Sequence, residues 1–322
     1  MSNTDTTAET ISFEDNDIYA AICGPLDRHL ALIEHTADLS ISRSGHQLLL
    51  QGAAEDVTQC KEIIQHLAKR HQQKSVIDEE DVKGALRFAG YKIDTVVTKK
   101  EPAALPTDGL ITPRKNILAR SPAQGLMIDA LKSKSLIFGI GPAGTGKTYL
   151  AVAAAVAAIV SGKVDRIILS RPAVEAGERI GFLPGDMKEK VDPYMQPLYD
   201  ALQDCLPPRQ LARMYEDKTI EIAPLAFMRG RTLARAFVVL DEAQNASILQ
   251  MKMFLTRLGQ DSKMAITGDE TQVDLPSHQP SGLIDAVRRL EKISAVGVAR
   301  FTHEDVVRHP LVAEIIRAYD DR

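Results

Sequence analysis

A doubly wound α/β domain built on a parallel sheet, with a smaller α+β module before it, is the fold class this 322-residue sequence predicts. Three observations carry it. Apolar runs at residues 136–140, 166–169, 219–222, 237–240, 264–267 and 296–301 are separated mostly by helical patterns, as buried parallel strands require. The first run leads through Gly141-Pro142-Ala143-Gly144-Thr145-Gly146-Lys147-Thr148 into an Ala-rich stretch at 149–160. That is the strand, glycine-rich turn and helix of a phosphate-binding loop. Upstream, a different periodicity fills residues 26–70, and a proline-bearing stretch without periodicity separates it from the rest.

The elements follow in chain order. Residues 1–20 carry Asp5, Glu9, Glu14, Asp15 and Asp17 with no Lys or Arg, so they lack the basic start of a secretory signal. They read as a short acidic, disordered tail. A small α+β domain is expected over 21–97: helix 26–34, strand 38–42, a turn at Arg43-Ser44-Gly45-His46, strand 47–51 and helix 54–70. Leu39, Ile41, Leu48 and Leu50 alternate as a half-buried hairpin does, whereas Val57, Cys60, Ile64 and Leu67 repeat at helical spacing. One more helix at 81–90 closes on Gly90. Residues 98–114 form the linker, and the nucleotide domain occupies 115–322, entered by a helix at 122–133.

Composition narrows the function classes. No apolar run reaches the roughly 20 residues that span a bilayer. Cys23, Cys60 and Cys205 form no Cys-x-x-Cys pair, which points away from zinc and towards the reducing cytoplasm. A net charge of −4 argues against a generally basic nucleic-acid binder, so any RNA or DNA site must be a local patch.

The loop residues 141–148 would cradle a nucleoside triphosphate, ATP with Mg²⁺, against the N-terminus of the following helix. Lys147 reaches the β- and γ-phosphates and Thr148 holds Mg²⁺. Downstream, Phe237-Val238-Val239-Leu240 ends in Asp241-Glu242, placing two carboxylates at the carboxyl end of a strand, where open α/β sheets bind ligands. Asp241 is the candidate for the Mg²⁺ shell and Glu242 for orienting and deprotonating water; a helix N-cap pair is the plainer alternative. Gln272, after Thr267-Gly268-Asp269, is the candidate γ-phosphate sensor, against a simple polar turn. Gln124 is placed to meet an adenine edge, or is an ordinary surface glutamine.

Residues 141–150, Ser170-Arg171-Pro172-Ala173-Val174-Glu175-Ala176-Gly177-Glu178 and Gly181-Phe182-Leu183-Pro184-Gly185-Asp186-Met187 resemble the PhoH family. So do Met228-Arg229-Gly230-Arg231-Thr232, Asp241-Glu242-Ala243-Gln244-Asn245, Thr267-Gly268-Asp269, Asp274-Leu275-Pro276 and Asp305-Val306-Val307-Arg308-His309-Pro310-Leu311-Val312. The likeness spans nearly all of 112–319. It implies a P-loop NTPase core like RecA and the first motor domain of superfamily 1 helicases, without the second motor domain, for which 322 residues leave no room. It also implies RNA as a partner. The N-terminal module resembles the KH-like region of the longer, YbeZ-type bacterial members, although residues 26–70 hold no Gly-x-x-Gly loop joining two helices. The version of the family with a fused PIN nuclease domain is not expected here.

A lone motor domain needs an arginine from elsewhere, worth on the order of 10³–10⁵ in rate. The resemblance implies a ring, a hexamer, in which a neighbour donates Arg229, Arg231 or Arg308. Arg171, after a strand end, is expected to face a nucleic-acid backbone instead. Residues 175–194 are long for a connection and are expected at a subunit interface; in an RNA role, Arg179, Lys188 and Lys190 would meet phosphates. Two classes stay open: an ATP-driven RNA helicase or remodelling ATPase linked to ribosomal RNA processing, with the endoribonuclease YbeY as an implied partner, and a nucleotide-controlled adaptor that recruits an RNA-processing partner. A small-molecule kinase is weaker, because no Arg-rich lid follows the catalytic strand.

Overall fold

Ile18, Tyr19, Ile22 and Cys23 fall on one face of a helix whose start is capped by Asp15, its carboxylate accepting from the Asp17 N–H at 2.8 Å. This helix, α1 (Asn16–Cys23), and the strand before it, β1 (Thr6–Ser12), correct the expectation of a disordered tail. β1 pairs antiparallel along its whole length with β3 (Gln47–Ala53), which also pairs with β2 (Ser40–Ser44) in the expected hairpin. Only Ile11 in β1 is a large buried aliphatic, so the strand's alternation was hidden among threonines and acids. The computed structural model describes residues 6–72, 76–91, 109–172, 192–276 and 279–306.

The chain divides into two compact units, 1–108 with 118–122, and 109–117 with 123–322. In the first, α2 (Arg28–Ala37), α3 (Ala54–Gln72) and α4 (Glu79–Phe88) join α1 around the three-stranded sheet. Leu48 and Leu50 point into its core while Leu49 between them is exposed, the period-2 signature of a sheet with one buried face. Residues 118–122 belong here because Arg120 pairs with Asp78 at 3.0 Å and with buried Asp81 at 3.1 Å. Of the expected 98–114 linker, 98–108 lies outside the described residues. Residues 109–114 instead join the second unit through the small hairpin β4 (Leu110–Ile111) and β5 (Asn116–Ile117).

The second unit carries the parallel sheet. All six expected strands form: β6 (Leu136–Ile140), β7 (Arg166–Ser170), β8 (Ile220–Ile222), β9 (Ala236–Leu240), β10 (Lys263–Gly268) and β11 (Val296–Arg300). They lie in the order β11-β6-β10-β9-β7-β8, every pairing parallel. β6 and β9 are buried at every position, which is why they read as unbroken apolar runs.

Helices α5 (Pro122–Ser133) and α6 (Lys147–Val160) flank β6 in sequence. α6 is apolar nearly all round and packs on β7, β9 and β10, its alanines allowing close approach. On β7's far side come α7 (Gln196–Cys205), which packs on α6, and α8 (Pro208–Glu216). Another face of the sheet buries Phe138, Leu240 and Ile266 with Phe254 of α9 (Ile248–Leu255) and Leu283 of α10 (Gly282–Leu290). Full burial of side chains such as Phe138 and Phe254 contributes about 1.5–3 kcal/mol each.

The strand order creates the site. From β6 the chain crosses to β7 on one side, and β11 returns on β6's other side, so the carboxyl end of β6 is a switch point. Asp241 and Asp269 follow the carboxyl ends of β9 and β10, between β6 and β7.

Candidate nucleotide site

The turn after β6 is shaped by positions that tolerate little else. Gly141 has φ 140°, and a Cβ there would lie 2.3 Å from the Phe301 carbonyl oxygen, so only glycine lets β11's end close against the loop. Its N–H donates to the Gly268 carbonyl at 3.1 Å, tying the loop to the end of β10. Thr145 is fully buried and its hydroxyl donates to the Pro142 carbonyl at 3.0 Å. Gly146, at φ 84°, precedes the first turn of α6.

Lys147 is only 7% exposed. Its ammonium donates to the Gly141 and Pro142 carbonyls at 2.7 and 2.6 Å, and to Thr145 Oγ1 at 3.2 Å. The charge is therefore held over the loop, beside Ala143, Gly144 and Gly146 on the wall of a cavity of about 590 Å³.

Two oxygens meet next to it. Thr148 Oγ1 donates to Asp241 Oδ1 at 2.6 Å, and Thr267 Oγ1 donates to the same oxygen at 2.7 Å. Asp241 is 2% exposed, and its N–H is taken by the Ser170 carbonyl. One carboxylate beside one hydroxyl at the mouth of a phosphate loop is the donor set for Mg²⁺ that completes its shell with phosphate oxygens and water. Thr148 and Asp241 would hold that ion.

Glu242 stands one residue further at φ 52°, a left-handed conformation that costs a non-glycine residue about 1–2 kcal/mol. The turn sends its side chain to the cavity wall, 41% exposed, instead of continuing β9. Gln244 Nε2 donates to Glu242 Oε2 at 2.6 Å, while Gln244 Oε1 accepts from the Asp269 N–H at 3.1 Å. A Cβ on Gly268 would come within 2.6 Å of that amide oxygen, so the glycine makes room for the bridge. Asp269 lines the cavity too; its Oδ1 accepts from Thr271, and its Oδ2 is buried without a hydrogen-bond partner among the described residues.

Of the residues singled out in the sequence, the cavity thus gathers Ala143, Gly144 and Gly146 of the loop, Lys147, Thr148, Asp241, Glu242 and, on its exposed rim, Gln272, while Gly141, Pro142 and Thr145 do not line it. Gln124 is different. It is 5% exposed and its Nε2 donates to the Thr145 carbonyl at 3.0 Å, so here its amide braces the phosphate loop from behind and is not a surface group.

Arg231 is also corrected: both its terminal nitrogens hold Glu221, at 2.6 and 2.7 Å, which leaves this fork committed within the subunit. The Arg231 guanidinium depresses the Glu221 carboxyl below its usual range. Arg229 is exposed. Arg308, and Arg179, Lys188 and Lys190 of the long connection, lie outside the described residues.

Four contributors were not legible as such. Arg171, expected to face nucleic acid, instead enters the cavity wall and pairs with Asp241 and Glu242 at 2.9 and 3.1 Å. Gln244 and Asp269 were present in the motifs, but their bridge depends on β9 and β10 being neighbours. Tyr149 closes the α7 side, its hydroxyl donating to Asp204 at 2.7 Å. Burial, then that hydrogen bond, push the phenol's pKa up, so it stays neutral.

A parallel sheet with a phosphate loop at its switch point and an acid pair at the carboxyl end of β9, two strands away, defines a P-loop nucleotide-binding protein. The family model for "PhoH-like protein" matches residues 116–320, and the chain belongs to the PhoH family. It is 46% identical over 308 residues to a PhoH-like protein of Bacillus subtilis, covering 93% of each chain. It is 46% identical to a PhoH-like protein of Mycobacterium tuberculosis (94% of this chain, 85% of that one), and 42% identical to Protein PhoH of Escherichia coli (81% and 70%). Among solved structures, a Sulfolobus solfataricus SWI2/SNF2 ATPase core in complex with dsDNA overlaps 49% of this chain and 34% of its own at 17% identity. Its TM-score is 0.32, too slight a likeness to bear on function. No helix among the described residues is long and apolar enough to cross a membrane.

The Gln244 bridge yields a first expectation. Gln244→Ala removes one hydrogen bond to the Glu242 carboxylate and one to the β10 turn, without touching the phosphate loop. If the site hydrolyses its nucleotide, turnover should fall about 10–100-fold, the equivalent of one charge-assisted hydrogen bond, with nucleotide affinity within twofold of the parent. Steady-state kinetics beside equilibrium titration with a fluorescent nucleotide checks this, and equal loss of both would make Gln244 a purely structural residue.

Proposed function

We propose that this protein binds ATP with Mg²⁺ and hydrolyses it. The observation that carries the reading is the meeting of Thr148 and Asp241 at 2.6 Å beside Lys147, with Glu242 turned out of β9 onto the same cavity. Lys147 compensates the charge of the β- and γ-phosphates. Thr148 and Asp241 hold Mg²⁺, which when bound neutralises developing charge on the phosphates. Glu242 orients the attacking water and accepts its proton, and Gln244 keeps that carboxylate in place. Gln272 on the rim senses the γ-phosphate.

The wider role belongs to the same proposal and rests on the family resemblance. The protein acts on RNA in the cytoplasm, as a homo-hexameric ring that couples hydrolysis to remodelling during ribosomal RNA processing, with an endoribonuclease of the YbeY type as partner. The N-terminal unit is its KH-like module, supported by a three-stranded sheet with helices packed on it. Arg229, exposed at the end of a short 3-10 turn, is the described arginine left to reach a neighbour.

A second reading has one observation in its favour. Both carboxylate oxygens of Glu242 are engaged, by Arg171 and by Gln244, which suits a slow nucleotide timer on an adaptor. ATP hydrolysis measured with and without single-stranded RNA separates the two. Stimulation by RNA is the expected result; a slow rate indifferent to RNA supports the adaptor, and no hydrolysis at all overturns the ATPase reading.

A further inference from the structure

Arg171 directly follows β7, the strand beside β9, and its guanidinium is held on three sides. Nε donates to Asp241 Oδ2 at 3.0 Å, Nη2 to Glu242 Oε1 at 3.1 Å and Nη1 to the Tyr194 carbonyl at 2.5 Å. The side chain is 15% exposed and lines the same cavity as Lys147, Thr148 and Gln272. A solvated surface arginine has no such set of partners. Arg171 is a fork built into the cavity wall from three separate segments.

Its two carboxylate partners are the groups that the proposed function assigns to Mg²⁺ and to the attacking water. A guanidinium in direct contact with Asp241 opposes a divalent cation on that carboxylate, and one on Glu242 Oε1 occupies an oxygen that would otherwise face water. The compensating anion in this cavity is the triphosphate itself, whose terminal oxygens offer a guanidinium bidentate acceptors. We propose that Arg171 meets the γ-phosphate from within the same subunit that holds the nucleotide, whether or not Arg229 of a neighbour also reaches the site. Its pairing with Asp241 and Glu242 is the alternative position of one side chain: moving to the γ-phosphate frees Asp241 for the cation and Glu242 for water. This inference rests on reading the cavity as an ATP site. It makes Arg171 catalytic, and it requires ATP to be preferred over ADP through this residue, since ADP has no γ-phosphate to draw the guanidinium away.

The test uses the full-length chain with Arg171→Ala and Arg171→Lys. Arg171→Ala should lower kcat on the order of 10³-fold and abolish the preference for ATP over ADP in equilibrium binding, with ADP affinity equal to the parent's or higher. Arg171→Lys should restore part of that preference and little of kcat, because an ammonium lacks the planar fork. Circular dichroism melting identifies any variant that fails to fold, and the lysine variant then carries the test. Mixing Arg171→Ala with Lys147→Ala subunits should give no rescue. Parent-like turnover and ATP preference in Arg171→Ala overturn the proposal, and so does recovery on mixing, which would put the arginine across a subunit boundary. If the parent binds ATP without hydrolysing it, the hydrolysis reading falls, and the ATP-over-ADP preference still decides Arg171.

Discussion

Lys147→Ala is expected to lose ATP binding and turnover together while the fold survives. The ammonium is the cation held over the loop itself, with the Gly141 and Pro142 carbonyls as its present acceptors. Phosphate oxygens would replace those carbonyls with fully charged acceptors beside a largely buried ammonium. Two charge-assisted hydrogen bonds at about 1.5–3 kcal/mol each give a loss of about 3–6 kcal/mol. That corresponds to roughly 10²–10⁴-fold in affinity. Folding stability should change little, because the sheet, α6 and the Gly141–Gly268 tie do not depend on this side chain. Calorimetric titration with ATP and a thermal melt of the same sample check both halves. An alanine variant that binds ATP as the parent does would remove the phosphate loop from the mechanism.

The central strands of the sheet were legible because burial on both faces leaves no room for polar residues, and the edge strands β8 and β11, though only partly buried, still keep enough apolar positions for their ends to be read to within a residue or so. The loop and the acid pair were legible because their chemistry lies in consecutive residues. What could not be read is what depends on strand order. Nothing in the chain says that β10 enters between β6 and β9, and without that neighbour Gln244 is only a polar residue after an acid pair. Arg171 was misread for the same reason: its place after a strand end was correct, but the strand adjoins β9, and that turns the side chain towards Asp241.

Errors at the N-terminus have another cause. β1 owes its existence to seven residues paired with β3, a non-local interaction that leaves only Thr7, Glu9 and Ile11 on the more buried side. Acidic composition outweighed that weak alternation. Residues 118–122 look like the approach to α5, yet Arg120 is drawn to Asp78 and Asp81 some forty positions earlier. Arg231 likewise looked available because its partner, Glu221, sits on the preceding strand and not in its own motif.

Glu242→Gln should separate binding from chemistry, which Lys147→Ala cannot do. The amide is nearly the same size, so the left-handed turn at φ 52° and the exit from β9 need not change. The cation's oxygens, Thr148 and Asp241, are untouched, and their contact at 2.6 Å does not involve Glu242. What disappears is an acceptor for water's proton, and loss of a positioned general base costs about 10²–10⁴-fold in rate. Substitution also removes one of the two carboxylates that hold Arg171 away from the nucleotide, so ATP should be bound at least as tightly as by the parent. The expected result is a complex that retains ATP and Mg²⁺ through gel filtration and releases phosphate at a rate near background. Rapid-quench measurement of a single turnover distinguishes slow chemistry from slow product release. If the first turnover in Glu242→Gln is as fast as in the parent, the base is another group, and Asp269 on the same wall, with a buried oxygen that has no hydrogen-bond partner among the described residues, becomes the carboxylate to replace next.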